Sequence, residues 1–133
     1  MKEHERGYDI SVDRRHNILK VKAWGMWDVA FAEQYDRELR QAILDISAHA
    51  SQGWYVVVDL DHYPPQLPHV QPILLRGMKF GIEHGLKKEA RIIGKAMTKM
   101  QLKRLVKEAG MPENSTFQSE EDAIAWLLRD GES

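Results

Sequence analysis

The chain has 133 residues, 43% apolar and 29% charged, with nineteen Lys and Arg against twenty Asp and Glu for a net charge of -1. That length predicts one domain, and the charge balance excludes a histone-like polyanion-coating protein. The absence of cysteine excludes disulfides, thiol nucleophiles, zinc–thiolate sites and iron–sulfur clusters.

No apolar run approaches the ~18 residues of a membrane-spanning helix. The opening MKEHERGYD lacks an apolar core and a small-residue cleavage site. It is therefore not expected to be a signal peptide, and the expected location is the cytoplasm. Residues 1–7 are expected to be a flexible leader, and residues 8–133 the folded domain.

Tyr8, Ile10 and Val12 alternate with polar residues, which predicts a half-buried strand over 8–13. A polar turn, Arg14 to Asn17, leads to a second strand over 18–24, so the two are expected to form an antiparallel hairpin. Gly25 follows, and Asp28 is placed to cap a helix. Tyr35, Leu39, Ala42, Ile43, Ile46 and Ala50 recur at helical spacing and predict one long amphipathic helix ending near His49. WYVVVDL, Trp54 to Leu60, reads as a central strand covered on both faces.

Asp61 to Pro68 holds three of the five prolines and is expected to be irregular. A second helix is expected over 69–84, with Pro72 in its first turn and Gly85 after its end. ARIIG, Ala90 to Gly94, reads as a short buried strand. Thr98 and Gln101 have capping-box spacing and predict a third helix to Gly110. Ser115 to Phe117 is an edge-strand candidate. Ser119 and Asp122 form a second capping-box pattern, before a last helix that Gly131 follows. The order β-β-α-β-α-β-α-β-α predicts an α/β fold with a mixed, mostly parallel sheet and about four helices.

This order and spacing resemble the STAS domain, the fold of bacterial anti-anti-sigma factors, from about Ile10 to Leu128. Four places carry the resemblance. Strand two runs into Gly25 and a helix start at Asp28. The apolar strand ends in Asp59. The second helix ends in HGL at Gly85. FQSEEDAIAWL, Phe117 to Leu127, is similar to the short strand and helix that close SpoIIAA-like proteins. The resemblance implies a single STAS-like domain that regulates through protein partners and is not an enzyme. In that family a Ser or Thr near the start of the second helix is the phosphorylated switch. The corresponding stretch here, HYPPQLPHVQP from His62 to Pro72, contains neither. The resemblance is thus to the SpoIIAA-like branch, for which binding of lipids or small apolar ligands is implied.

Three constellations are candidate sites. If strands two, three and four are parallel neighbours, their C-terminal ends share one rim, where open α/β sheets bind ligands. That rim would present Trp24, Met26, Trp27, Tyr63, Pro64, Pro65, Leu67, Ala96 and Met97. The alternative is that Trp24 and Trp27 simply cover the core. The rim would also gather the N-termini of the first three helices, and Lys95 and Lys99 could hold the charged end of a fatty-acid-like anion or an acidic peptide.

The second constellation is a basic run. Between Arg76 and Lys107 there are ten basic and two acidic residues, followed by an acidic C-terminal stretch. An acidic partner or an anionic membrane surface would suit it; so would solvated helix faces. Nucleic acid is disfavoured because no binding motif accompanies the charge.

The third is Asp59, Asp61, His62 and His69 around the proline loop. Their spacing matches no metal-binding motif, so loop capping is the expectation and no metal or cofactor is expected. Met97, Met100 and Met111 read as either adaptable contacts or core filler. The expected function is a regulatory interaction module, with a carrier or sensor of a small apolar ligand as the alternative and a homodimer as a possible assembly.

Overall fold

The computed structural model describes residues 5–129. Within them lie five strands and four helices: β1 (Arg6–Asp13), β2 (Ile18–Gly25), α1 (Val29–His49), β3 (Trp54–His62), α2 (Gln71–Glu83), β4 (Leu86–Ile92), α3 (Ala96–Ala109), β5 (Glu113–Phe117) and α4 (Glu120–Leu127). The strands form a single sheet in the order β1-β2-β3-β4-β5. β1 and β2 pair antiparallel, and the other neighbours are parallel. This is the expected mixed α/β sheet, and each parallel step returns through a helix.

The hairpin forms because its turn is chemically specified. Asn17 takes a positive φ of 56°, and the Asp13 carboxylate accepts from the backbone N–H groups of Arg15 and His16 at 3.1 and 3.3 Å. β1 starts at Arg6, so Arg6 and Gly7, expected in the flexible leader, pair with Gly25 and Trp24. Residues 1–4 of that leader, and Gly131, lie outside the described residues.

Helices cover both faces of the sheet unequally. Leu19, Val21 and Val56 pack under Leu39, Ile43 and Ile46 of α1. Ala23 and Leu60 pack with Trp27, Tyr63, Val70, Ile73 and Leu102 toward the rim. Among the described residues the opposite face carries only α4, whose Ala123 and Leu127 cover Ile18, Val57, Ala90 and Ile92. β3 is therefore the doubly covered central strand its apolar run predicts.

Two helix starts behave as expected. Asp28 accepts from Phe31 N–H at 2.8 Å, and Ser119 accepts from Asp122 N–H at 3.1 Å. The third does not. α3 begins at Ala96 with Lys95 in the capping position and no side-chain cap. Thr98 lies inside the helix, fully buried, and its hydroxyl donates to the Tyr63 carbonyl at 2.6 Å. The capping-box residues are used for tertiary bonds instead. β4 likewise starts at Leu86 and ends before Ile93. Lys87 and Lys88 masked its first half: Lys88 pairs with Tyr55 and Glu113, and its ammonium lies 5.0 Å from the Trp126 ring centre.

Charges also enter the interior. Asp36 of α1 is buried and accepts from Arg40 Nε and Arg76 Nη2, each at 2.9 Å, which ties α1 to α2. The helices approach closely because residue 77 is glycine. A Cβ there would sit 3.0 Å from the Leu39 side chain. On β4, Glu89 pairs with Arg91, and Arg91 reaches across to Asn114 and Thr116 of edge strand β5 at 3.1 and 3.3 Å.

Burial raises the Glu89 carboxyl to about 7, against the pull of Arg91. The folded-state value lies above the unfolded one, so folding favours the protonated form. This residue's contribution to stability is therefore fullest below about pH 4.5 and is lost as pH rises through about 7. Urea unfolding across that window should show the slope, and Glu89→Gln should remove it. An unchanged slope in the variant would assign the effect to another group.

Candidate functional site

β2, β3 and β4 run parallel, so their C-terminal ends do share one rim, with the starts of α1, α2 and α3 beside it. A single side chain holds that rim together. Gln66 lies in the β3–α2 loop and is 3% exposed. Its Oε1 accepts from Trp27 N–H at 2.9 Å, and its Nε2 donates to the carbonyls of Gly25 and Pro64 at 3.1 and 2.8 Å. Its own backbone N–H donates to Gln101 Oε1 at 2.8 Å. Its carbonyl accepts from Gln101 Nε2 and Gln71 Nε2, both at 3.0 Å. Six hydrogen bonds thus join the β2–α1 loop, the β3–α2 loop and α3.

The expected rim residues separate into three groups. Trp27 and Tyr63 are 1% and 2% exposed, and they are core rather than rim. Trp27 packs against Tyr8, Phe31, Tyr35 and Tyr63 with ring centres 4.8–5.8 Å apart, and its Nε1 donates to the Trp24 carbonyl at 3.1 Å. The aromatic cluster closes the rim end of the core, which is why these rings are unavailable to a ligand on the surface.

Trp24 belongs to the other face of the sheet. It lies over Gly7, where any Cβ would collide with the indole, and it borders a shallow depression with Lys22 and His62. The period-two alternation of a strand sets this, since Ala23 points to the helix side. The third group does form the rim surface. Met26, Leu67 and Met97 are exposed, Pro64 and Pro65 are half-buried, and Ala96 is exposed. Val29 and Met100, absent from the sequence-based rim, join it as exposed apolar residues. Lys95 and Lys99 stand exposed at the start of α3.

The other candidate groups are less organised. Asp59 accepts from Asp61 N–H at 3.1 Å, the loop-capping role expected of it. His62 and Asp61 lie 3.7 Å apart, both exposed, and His69 is exposed. No three metal-ligating side chains converge among the described residues. At α1, the N-terminus is already met by the Asp28 carboxylate, which Arg6 pairs at 3.1 Å. That helix end therefore already carries a negative group.

A feature that sequence reasoning missed is internal. A cavity of about 90 Å³ lies between the sheet and the α1–α2 layer, lined by apolar side chains with Tyr63 and Glu89 among them. Only tertiary packing creates it.

No protein-family model matches this sequence, and no curated protein matches it. Solved structures do. An uncharacterised DUF3478-family protein with a SpoIIAA-like fold, from Shewanella loihica PV-4, aligns at a TM-score of 0.67 with 22% identity, covering 92% of this chain and 94% of that one. The phosphorylated form of SpoIIAA, a Bacillus cell-fate determinant, aligns at 0.59 with 15% identity, covering 91% and 99%. An anti-sigma factor antagonist from Mycobacterium paratuberculosis aligns at 0.52 with 21% identity, covering 93% and 96%. The chain therefore has the SpoIIAA-like, STAS-type fold that its sequence resembles.

Removing the Gln66 side chain should strand the Trp27 N–H and the carbonyls of Gly25 and Pro64, so Gln66→Ala should cost roughly 2–4 kcal/mol. Trp27→Ala should cost about 3–5 kcal/mol, as a core truncation does. Urea denaturation measures both. A loss below about 0.5 kcal/mol, the scale of ordinary surface substitutions, would show that Gln66 does not hold the rim.

Proposed function

We propose that the protein is a non-enzymatic regulatory module that docks a protein partner on its methionine-rich rim. The carrying observation is where the exposed apolar residues fall. Five of the seven large hydrophobic side chains exposed among the described residues (Met26, Val29, Leu67, Met97 and Met100) sit on the loops and helix starts of this one edge. Clustered exposed apolar groups favour association, and methionine adapts its shape to the surface it meets.

Lys95, Lys99 and Lys103 are exposed beside Met97 and Met100. They favour a partner whose apolar contact is ringed by acidic residues. The solved neighbours of like fold include an anti-sigma factor antagonist, which supports regulation by protein contact. Control must differ from phosphorylation at the start of α2. That helix begins at Gln71 behind Val70, and no Ser or Thr lies between His62 and Pro72. The proposal takes residues 8–133 as one functional unit and sets it in the cytoplasm. No described helix is long and apolar enough to cross a membrane.

A fatty-acid-like anion cradled on the rim is less well supported. It was expected at the Trp24–Trp27 and Tyr63–Leu67 rim, where Trp27 and Tyr63 are buried in the core.

Native mass spectrometry and affinity capture of the intact chain test the docking proposal. The double variant Met97→Asp, Met100→Asp should keep its circular dichroism and melting temperature. It should lose more than tenfold of the captured partner, because docking would bury the new carboxylates. Trp24→Ala, on the other sheet face, should retain it. Equal capture by the double variant and the parent would overturn the rim assignment.

A further inference from the structure

Sequence order alone would let the acidic C-terminal stretch fold beside the basic run and neutralise it. The fold prevents this. α3 packs with α1 and α2 on one face of the sheet, whereas α4 lies on the other, against Ile18, Val57, Ala90 and Ile92. Among the described residues, no ion pair involves Lys99, Lys103, Lys107, Glu121 or Asp122. The α4 acid that is paired, Glu120, meets Lys20 of the sheet at 3.3 Å.

The outward faces of these two helices match. On α3, Leu102, Leu105 and Val106 point inward, so Met97, Met100, Lys103 and Lys107 form the opposite, exposed stripe. Met97 and Met100 are 69% and 71% exposed. On α4, Ala123 and Leu127 point inward, and Glu121, Asp122, Ala125 and Leu128 stand exposed. Arg129, beyond Leu128, is at the far end from these acids. Each stripe is thus apolar at one end and charged at the other, with opposite signs. At a rise of about 1.5 Å per residue, the lysines lie about 10 Å along α3 from the methionine pair, and the acids about 8 Å along α4 from Ala125 and Leu128. Set antiparallel, the two helices bring Leu128 and Ala125 onto Met97 and Met100, and Glu121 and Asp122 onto Lys103 and Lys107. The same alignment opposes the helix dipoles favourably.

We infer that α4 of one copy docks on α3 of a second copy, so that the chain associates head to tail. This rests on the reading of the methionine-rich rim as a docking surface and names the partner as the chain itself. The apolar ends supply buried area, and the charges fix direction and register. Because the two surfaces lie on opposite faces of the sheet, each contact leaves an α3 open at one end and an α4 open at the other. Repetition adds copies in a row instead of closing a two-fold dimer. α4 has eight residues, about 12 Å of helix, so the contact is small and the association weak and reversible.

Sedimentation velocity of the full chain over a concentration series tests this. The weight-average mass should rise continuously with concentration and pass that of a dimer. Raising salt from about 0.01 M to about 1 M, which shortens the screening length from roughly 30 Å to roughly 3 Å, should weaken association roughly tenfold or more. Lys103→Glu with Lys107→Glu should remove self-association, and so should Glu121→Lys with Asp122→Lys, each at an unchanged melting temperature. An equimolar mixture of the two variants should associate again, since each supplies the surface the other lacks. Leu128→Asp, outside the first turn of α4, blocks the same contact should the α4 acids prove necessary for folding. A chain monomeric at every concentration, association that strengthens with salt, or a folded α4 variant that assembles like the parent would each overturn self-docking. A monomer that still captures a different protein through Met97 and Met100 would overturn it while leaving the docking role of the rim intact. Assembly undiminished by Met97→Asp with Met100→Asp would take the rim out of both readings.

Discussion

The side chain of Gln66 closes the rim of this molecule, and the arrangement of the surrounding loops depends on it. Parallel strands end in loops whose backbone polar groups have no ladder to join. Two such loops and α3 meet here. Gln66 supplies an acceptor to one and donors to two carbonyls, while its own backbone is held by Gln101 and Gln71. Because these bonds are buried, each is expensive to leave unmade. The prolines on either side, Pro64, Pro65 and Pro68, limit the loop's other conformations and so reduce the entropy lost in setting it.

A fixed frame with mobile tips follows from this. Trp27, Tyr63 and Thr98 secure the base of the rim, while Met26, Met97 and Met100 project from it. A partner would meet a backbone already ordered, and only flexible side chains would need to settle. That division keeps the entropic cost of association low. It also explains why apolar residues can stand on loops here without collapsing inward: the space beneath them is already filled by the aromatic cluster.

The fold was legible because each element carried a local signal. The alternation in β1, the helical spacing of α1, the caps at Asp28 and Ser119, and the β-branched run of β3 all agree with one topology. The failures arose where one residue type serves two purposes. Thr98 and Gln101 have capping spacing, yet their polar groups are spent on the neighbouring loop. Lys87 and Lys88 disguised the start of β4, since a lysine such as Lys88 can pair in a strand while its ammonium lies over aromatic rings. The topology put the C-terminal ends of β2, β3 and β4 along one edge, but which residues stand exposed there was only partly readable. Trp27 and Met26 are adjacent in sequence, and nothing local says that one is core and the other surface. Gln66 and the cavity depend on contacts between separate elements, which no spacing within one segment encodes.

The unequal cover of the two sheet faces has a consequence for how the molecule breathes. One face is sealed by α1, α2 and α3 with cross-ties such as Asp36–Arg76, whereas the other relies on eight residues of α4, held chiefly through Ala123 and Leu127. A helix that short has little stability of its own. Detachment of α4 would expose Ile18 and Val57 while leaving the larger layer intact. Such partial opening lies far below global unfolding in free energy. The amides of α4 and of edge strand β5 would thus exchange before those of the central ladder.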